Sequence, residues 1–196
     1  QQPLKPRKVG IVGLGTGTLA AYGAKGDLFR FYEINPDVVT IARRDFTYLK
    51  DSDAIVEVAL GDARLILERE PAQQFDVLAI DAFSSDAIPM HLITREAVEI
   101  YEKHLNANGV IAFHVSNRYL DLKPVVKAIA ESRGLGVAWI RETYNDGGTR
   151  SDWILLTKDK SLLDKSEILE GTRVIPPTPN RRVWTDEFNN LLEVLH

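Results

Sequence analysis

The chain has 196 residues, 44% of them hydrophobic and 27% charged, with a formal net charge of −4 and no cysteine. That length and mix suit one globular domain that buries its own core, and the missing thiols exclude disulfides, thiolate metal sites and cysteine nucleophiles. The acidic balance, with no dense Lys/Arg stripe, argues against a nucleic-acid partner, and no apolar run nears the roughly 18 to 20 residues of a membrane-spanning helix.

Gln1 to Lys8 lacks the apolar core of a signal peptide, and the sole methionine is Met90, so the sequence reads as a cytoplasmic, soluble piece of a longer protein. Strand and helix patterns then alternate. Val9 to Val12 is a short apolar run ending in glycines, as in a strand buried on both faces. Thr18 to Lys25 reads as a short helix closed by Gly26, and Leu28 to Ile34 as a second strand. Asn35-Pro36-Asp37 opens a helix predicted to reach Leu49, with Asn35 as cap and Pro at an early position.

Ile55 to Leu60 is the third strand, Ala63 to Arg69 a helix broken by Pro71, and Phe75 to Ile80 the fourth strand. After an irregular stretch, Thr94 to His104 carries a helical apolar face of Ala97, Val98 and Tyr101, with a turn over Asn106 to Gly109. Val110 to Val115 is the fifth strand and Leu122 to Ser132 a helix. Val137 to Ile140 and Ser151 to Thr157 have only a loop between them, which predicts an antiparallel hairpin at the sheet edge. Pro176 to Pro179 reads as a stiff linker to a last amphipathic helix, Asp186 to Leu195. The predicted fold is α/β, a Rossmann-like, doubly wound, mostly parallel sheet with an antiparallel edge strand. Residues 1–160 form its nucleoside-binding catalytic domain, and residues 161–196 a linker and helix packed on it.

Four strand ends carry the chemistry, and in a parallel sheet those ends line one crevice. The turn Gly13-Leu14-Gly15-Thr16-Gly17 lets backbone approach a ligand beside a helix N-terminus, although such glycines also serve tight strand–helix packing. Glu33 is placed to accept both hydroxyls of a ribose, as an acid does in NAD enzymes; its bland alternative is a solvated surface residue. Asp62, in Gly61-Asp62-Ala63, can accept from an adenine amino group or simply cap the next helix. Asp81 and Asp86, flanking Ser84 and Ser85 at the crevice mouth, suit cation binding and proton acceptance, or else loop capping.

This order of motifs resembles the class I S-adenosylmethionine-dependent transferase fold. Within it, Asp81 to Pro89 and Thr143-Tyr144-Asn145-Asp146-Gly147 resemble the spermidine synthase, or polyamine aminopropyltransferase, family over roughly Val9 to Lys158. Asp81 to Thr94, His114 to Leu122 and Trp184-Thr185-Asp186 are similar to the spermidine synthase-like portion of bacterial proteins that also carry transmembrane segments. The resemblance implies that Gly13, Gly15, Thr16 and Gly17 hold the aminopropyl or methionine part of the donor, Glu33 the ribose, and Asp62 with Ala63 the adenine. It makes Asp81 the catalytic acid that binds and deprotonates the attacking amine, with Asp86 and Tyr144 shaping the acceptor pocket.

The implied reaction is aminopropyl transfer from decarboxylated S-adenosylmethionine to a polyamine, releasing methylthioadenosine; the sulfonium is already activated, so no metal is expected. Expected partners are the small-molecule amine, a second copy in a homodimer, and the larger membrane-associated protein. The chain departs from the family at Thr16, where an Asp is usual, and in an acidic loop about two residues longer. The family's N-terminal β-rich domain has no counterpart in this sequence. Ordinary S-adenosylmethionine with methyl transfer, and nucleoside binding without turnover, are the competing readings. An NAD-dependent reductase leaves Asp62 and Asp81 without a task. His91, His104 and His114 lack metal spacing and read as satisfied structural histidines, while Trp184 and Phe188, at i, i+4, read as anchors of the terminal helix.

Overall fold

The computed structural model describes residues 5–83, 88–117, 119–142, 151–177 and 182–195. Expected site residues Asp86 and Tyr144 lie outside that set, as do Ser84, Ser85 and the segment 143–150.

The elements in chain order are β1 (Lys8–Val12), β2 (Leu28–Glu33), α1 (Pro36–Asp45), α2 (Tyr48–Asp51), β3 (Ile55–Leu60), α3 (Ala63–Arg69), β4 (Phe75–Ile80), α4 (Arg95–Lys103), β5 (Leu105–His114), α5 (Lys123–Ser132), β6 (Gly136–Glu142), β7 (Ser151–Thr157), α6 (Ser166–Leu169) and β8 (Thr172–Arg173). They form one sheet in the order β3-β2-β1-β4-β5-β7-β6-β8. β1 to β5 pair in parallel, while β7 lies antiparallel between β5 and β6, and the unexpected β8 adds an antiparallel edge to β6. The fold is thus Rossmann-like, doubly wound and mostly parallel.

Both faces of the sheet are covered, which is why its strands read as unbroken apolar runs. On one face Val12, Leu78, Ile80 and Phe113 pack with Leu67, Val98, Tyr101 and Val126 of α3, α4 and α5; on the other, Ile11, Phe29, Phe31 and Ala79 pack with Ala20 and Ala42. Short side chains start the helices as the sequence predicts. Asn35 accepts from Asp37 N at 2.9 Å, Asp62 from Leu65 N at 3.0 Å and Thr94 from Ala97 N at 3.1 Å, each satisfying an otherwise unpaired N–H.

Four local expectations are corrected. The helix from Thr18 is a single 3-10 stretch ending at Tyr22, because a residue with a Cβ at Gly23 would stand 2.5 Å from Ala54 Cβ and Ser52 Oγ donates to Ala20 O at 2.7 Å. The helix expected to reach Leu49 breaks at Phe46, whose backbone is extended, and α2 then brings Leu49 onto the Gly17 turn. Asn106 to Gly109 is an irregularity inside β5, where the pairing jumps from Phe75 with Leu105 to Val77 with Val110. Past Asp186 only Leu191–Val194 coils, as a 3-10 turn. Tertiary bonds defeat the helical periodicity there: Asp186 N donates to Glu96 Oε2 at 3.0 Å, Arg95 N to Trp184 O at 2.9 Å and Asp121 N to Val194 O at 2.7 Å. Trp184 is nonetheless in the core and Phe188 packs against it.

The chain runs outward from β1 through β2 to β3, then returns to β4 on the other side of β1. That reversal leaves a gap between the carboxyl ends of β1 and β4, the place where open α/β sheets take ligands.

Candidate active site

A crevice of about 620 Å³ opens at that reversal, within the size of small-molecule sites. Its walls include Gly13, Gly15, Thr16, Glu33, Asp62, Ala63 and Asp81, so seven of the residues singled out in sequence meet at one place.

Asp81 N donates to Val12 O at 2.9 Å, which draws the end of β4 against the turn after β1. Gly13, at φ +97°, has no room for a side chain: a Cβ there would lie 2.5 Å from Asp81 O. Gly15, at φ +52°, differs, because the space where its Cβ would stand is empty and belongs to the crevice. Backbone is therefore bare to a ligand at this point. Gly17 is not among the lining residues; its Cβ position faces Leu49 Cδ2 at 2.7 Å, so tight packing accounts for it. Thr16 Oγ1 pairs with Thr18 Oγ1 at 2.7 Å.

Glu33 is 8% exposed, which removes the solvated-surface reading. Its Oε2 accepts from Leu14 N at 2.9 Å and its Oε1 from Asn35 N at 2.8 Å, tying the glycine turn to the head of α1. A carboxylate offers about four acceptor positions, so each oxygen keeps capacity for a ligand hydroxyl. Asp62 is the helix cap its position suggested, and its second oxygen faces the crevice wall. Oδ1 caps α3, and Oδ2 lies 3.0 Å from His91 Nε2 on the crevice wall.

His91 is held by its own backbone, whose carbonyl accepts from Arg64 Nη1 at 2.8 Å. The same guanidinium binds Asp186 Oδ1 at 2.7 Å, and Thr94 Oγ1 donates to that oxygen at 2.8 Å. The hydrogen bond from Arg64 holds the Asp186 carboxyl below the usual carboxylate range, against the opposing effect of burial. A segment about 120 positions away in sequence therefore braces one wall.

Asp81 has the densest surroundings. Its Oδ1 lies 2.6 Å from His114 Nδ1, and His114 Nε2 lies 2.9 Å from Ser116 Oγ. The imidazole stacks on Trp153 at 4.5 Å and 8°, and Phe83 meets it edge-on at 4.9 Å. Sequence reasoning set His114 aside as satisfied. It is satisfied, but it also lines the crevice. The sheet register brings it there: Ile80 pairs with Phe113, so the residues that follow them, Asp81 and His114, stand side by side at the strand ends.

Glu33, Asp62 and Asp81 place three carboxylates on the wall, and the described lining contains no Lys or Arg. Such a surface attracts cationic ligands and offers acceptors to hydroxyl and amino groups. No group of three or more His, Cys, Asp or Glu suited to a metal ion occurs among the described residues. Among those residues, too, no helix is long and apolar enough to cross a membrane.

No family model matches the sequence. The polyamine aminopropyltransferase of Vibrio vulnificus is 33% identical over 114 residues, a stretch spanning 55% of this chain and 37% of that protein. The crystal structure of human methyltransferase-like protein 13 in complex with SAH matches with a TM-score of 0.62 and 20% identity, covering 85% of this chain and 81% of that one. Spermidine synthase from Thermotoga maritima matches with a TM-score of 0.59 and 19% identity, covering 94% of this chain and 64% of that one. The fold is that of the class I S-adenosylmethionine-dependent transferases. Over those 114 residues the sequence is similar to a polyamine aminopropyltransferase, of which the chain spans little more than a third.

Proposed function

We propose that the chain transfers an aminopropyl group from decarboxylated S-adenosylmethionine to a polyamine, leaving methylthioadenosine. The observation that carries this reading is the crevice wall with three carboxylates and no described cation. Decarboxylated donor and polyamine acceptor are both cations, and neither needs a positive group to meet a carboxylate of its own.

In this assignment the Gly13 to Thr16 backbone takes the aminopropyl side of the donor, Glu33 the ribose, and Asp62 with Ala63 the adenine. Asp86 and Tyr144 shape the acceptor pocket. The donor supplies a sulfonium, whose thioether leaves without further activation. An alkyl amine with a pKa near 10.4 is neutral only about once in 10³ molecules at pH 7, an obstacle of roughly 4 to 5 kcal/mol. Asp81 binds that amine and takes its proton while desolvation in the crevice disfavours the charged form. As the new C–N bond forms, the C–S bond breaks with its electron pair left on sulfur, and the amine proton passes to Asp81.

The test is product analysis after incubation with decarboxylated S-adenosylmethionine and a diamine, where methylthioadenosine is expected. Methyl transfer is the second reading, favoured by neutral Thr16 in the glycine turn and by the well-covered human methyltransferase-like neighbour. S-adenosylhomocysteine formed from S-adenosylmethionine, with no methylthioadenosine, establishes it instead. Binding of either nucleoside with no product after long incubation makes the chain a binding module. We further propose that it works in the cytoplasm, as a homodimer and as part of a larger membrane-associated protein; size-exclusion scattering of the purified chain tests the dimer.

A further inference from the structure

We propose that His114 is a positioning residue that fixes Asp81 as a correctly aimed proton acceptor, with Ser116 setting the tautomer of the imidazole. The inference rests on the proposed transfer for its purpose, but its physical basis is the hydrogen-bond chain itself.

The directions in that chain follow from what each group can do. Asp152 N, a backbone donor, lies 2.8 Å from Ser116 Oγ and must donate to it. The Ser116 hydroxyl hydrogen is then free to point at His114 Nε2, 2.9 Å away, which makes Nε2 the acceptor. In the neutral ring the single N–H is left on Nδ1, where it donates to Asp81 Oδ1 at 2.6 Å. Stacking on Trp153 and the edge contact from Phe83 fix the ring plane. With Oδ1 engaged, Asp81 Oδ2 has no protein partner among the described residues and is the oxygen left for the substrate amine.

A lone carboxylate in this position would turn about its last bond. Anchored at one oxygen, it presents the other in a fixed direction, and misplacement by about 1 Å can cost on the order of 10²-fold in rate. The arrangement is not a serine nucleophile triad, because Ser116 is not on the crevice wall and its oxygen already accepts from Asp152 N.

Among the described residues, few groups face the imidazole besides the Phe83 ring. Asp81 approaches from the end of β4 and Ser116 from beyond β5; from β7 come Trp153 and Ser151, whose Oγ is 3.5 Å from Nε2. The Asp152 carboxylate turns away, accepting from Trp139 Nε1 at 2.8 Å and Arg141 Nε at 2.9 Å. Asp81 is thus the carboxylate His114 answers to, and a cationic His114 would compete with the cationic amine for it.

Two measurements on the whole chain test this. Two-bond ¹⁵N–¹H correlation of the imidazoles, titrated with pH, should find neutral His114 as the Nδ1–H tautomer in the wild type. In steady-state kinetics, His114→Ala should lower kcat by about 10²-fold with donor KM within a few-fold. His114→Asn, which keeps an N–H donor at the reach of Nδ1, should recover much of that loss. A neutral His114 found as the Nε2–H tautomer overturns the proposal whatever the activity. So does a His114→Ala enzyme with wild-type kcat, or an Asn variant as slow as the Ala one. The Nδ1–H tautomer in a chain that transfers nothing upholds the Asp81–His114 bond and places the failure in the transfer reading.

Discussion

The two sides of the crevice are built on different principles. On the side proposed to take the nucleoside, Gly13, Glu33 and Asp62 stand at strand ends and the two acids are held largely by backbone N–H groups, Glu33 by those of Leu14 and Asn35 and Asp62 by that of Leu65. On the side where the transfer is proposed to occur, Asp81 depends on His114 from β5, Trp153 from β7 and Ser116 beyond β5. A ligand common to many enzymes can be held by strand ends alone. A reacting group needs direction, and direction here comes from several strands at once.

The largest test of that contrast is Asp81→Asn. Methylthioadenosine production should fall by at least about 10²-fold, the usual worth of a positioned proton acceptor, with nucleoside affinity within a few-fold. Equal loss of affinity would move Asp81 to the nucleoside side and end the distinction. Glu33→Ala should do the reverse, weakening donor binding by about 1.5–3 kcal/mol, the worth of a hydrogen bond to a charged group. Calorimetric titration with methylthioadenosine measures it; unchanged affinity would remove the ribose assignment.

Gly13→Ala should strike both sides together, because its Cβ would push on the Asp81 carbonyl from a left-handed backbone. A loss of about 1–3 kcal/mol in denaturant unfolding, accompanied by poorer nucleoside binding, is expected. Full stability in that variant would mean the turn can move away from Asp81 and that the two sides are less coupled than their contact implies.

Asp27, before β2 at the opposite end of the strands, gives the smallest effect and serves as the reference for fold without site. Burial opposes its ionisation, yet bonds from the Arg7 side chain, Arg7 N and Ala24 N hold its pKa at about 2 instead of 3.8. A depressed carboxylate stabilises the folded state above its unfolded pKa, so this contribution is complete above pH 3.8 and lost as pH falls through about 2. Asp27→Asn should reduce stability at neutral pH and flatten that acid-side slope, while nucleoside affinity stays at the wild-type value.

The strand ends were legible because a buried parallel strand announces itself as an apolar run, and its terminus as the first Gly, Asp or Glu. β3, α3 and β4 have the boundaries their residues predict. The errors fall where distant segments compete for backbone groups. The terminal amphipathic pattern reads as helix, but Glu96 takes the Asp186 N–H, and Arg64 with Thr94 takes its carboxylate. His91 was not legible as a wall residue for the same reason, since Arg64 and the Asp186 segment bring it there.

By itself the sequence determined the alternating α/β order, the glycine turn and the acids that end β2 and β4, because burial on two faces and the need for a cap or a bare backbone act on neighbouring residues. Only the tertiary structure decided which of those acids carries a partner. His114 meets Asp81 because β4 and β5 pair in a register that sets residues 33 positions apart side by side, a relation that no local pattern contains.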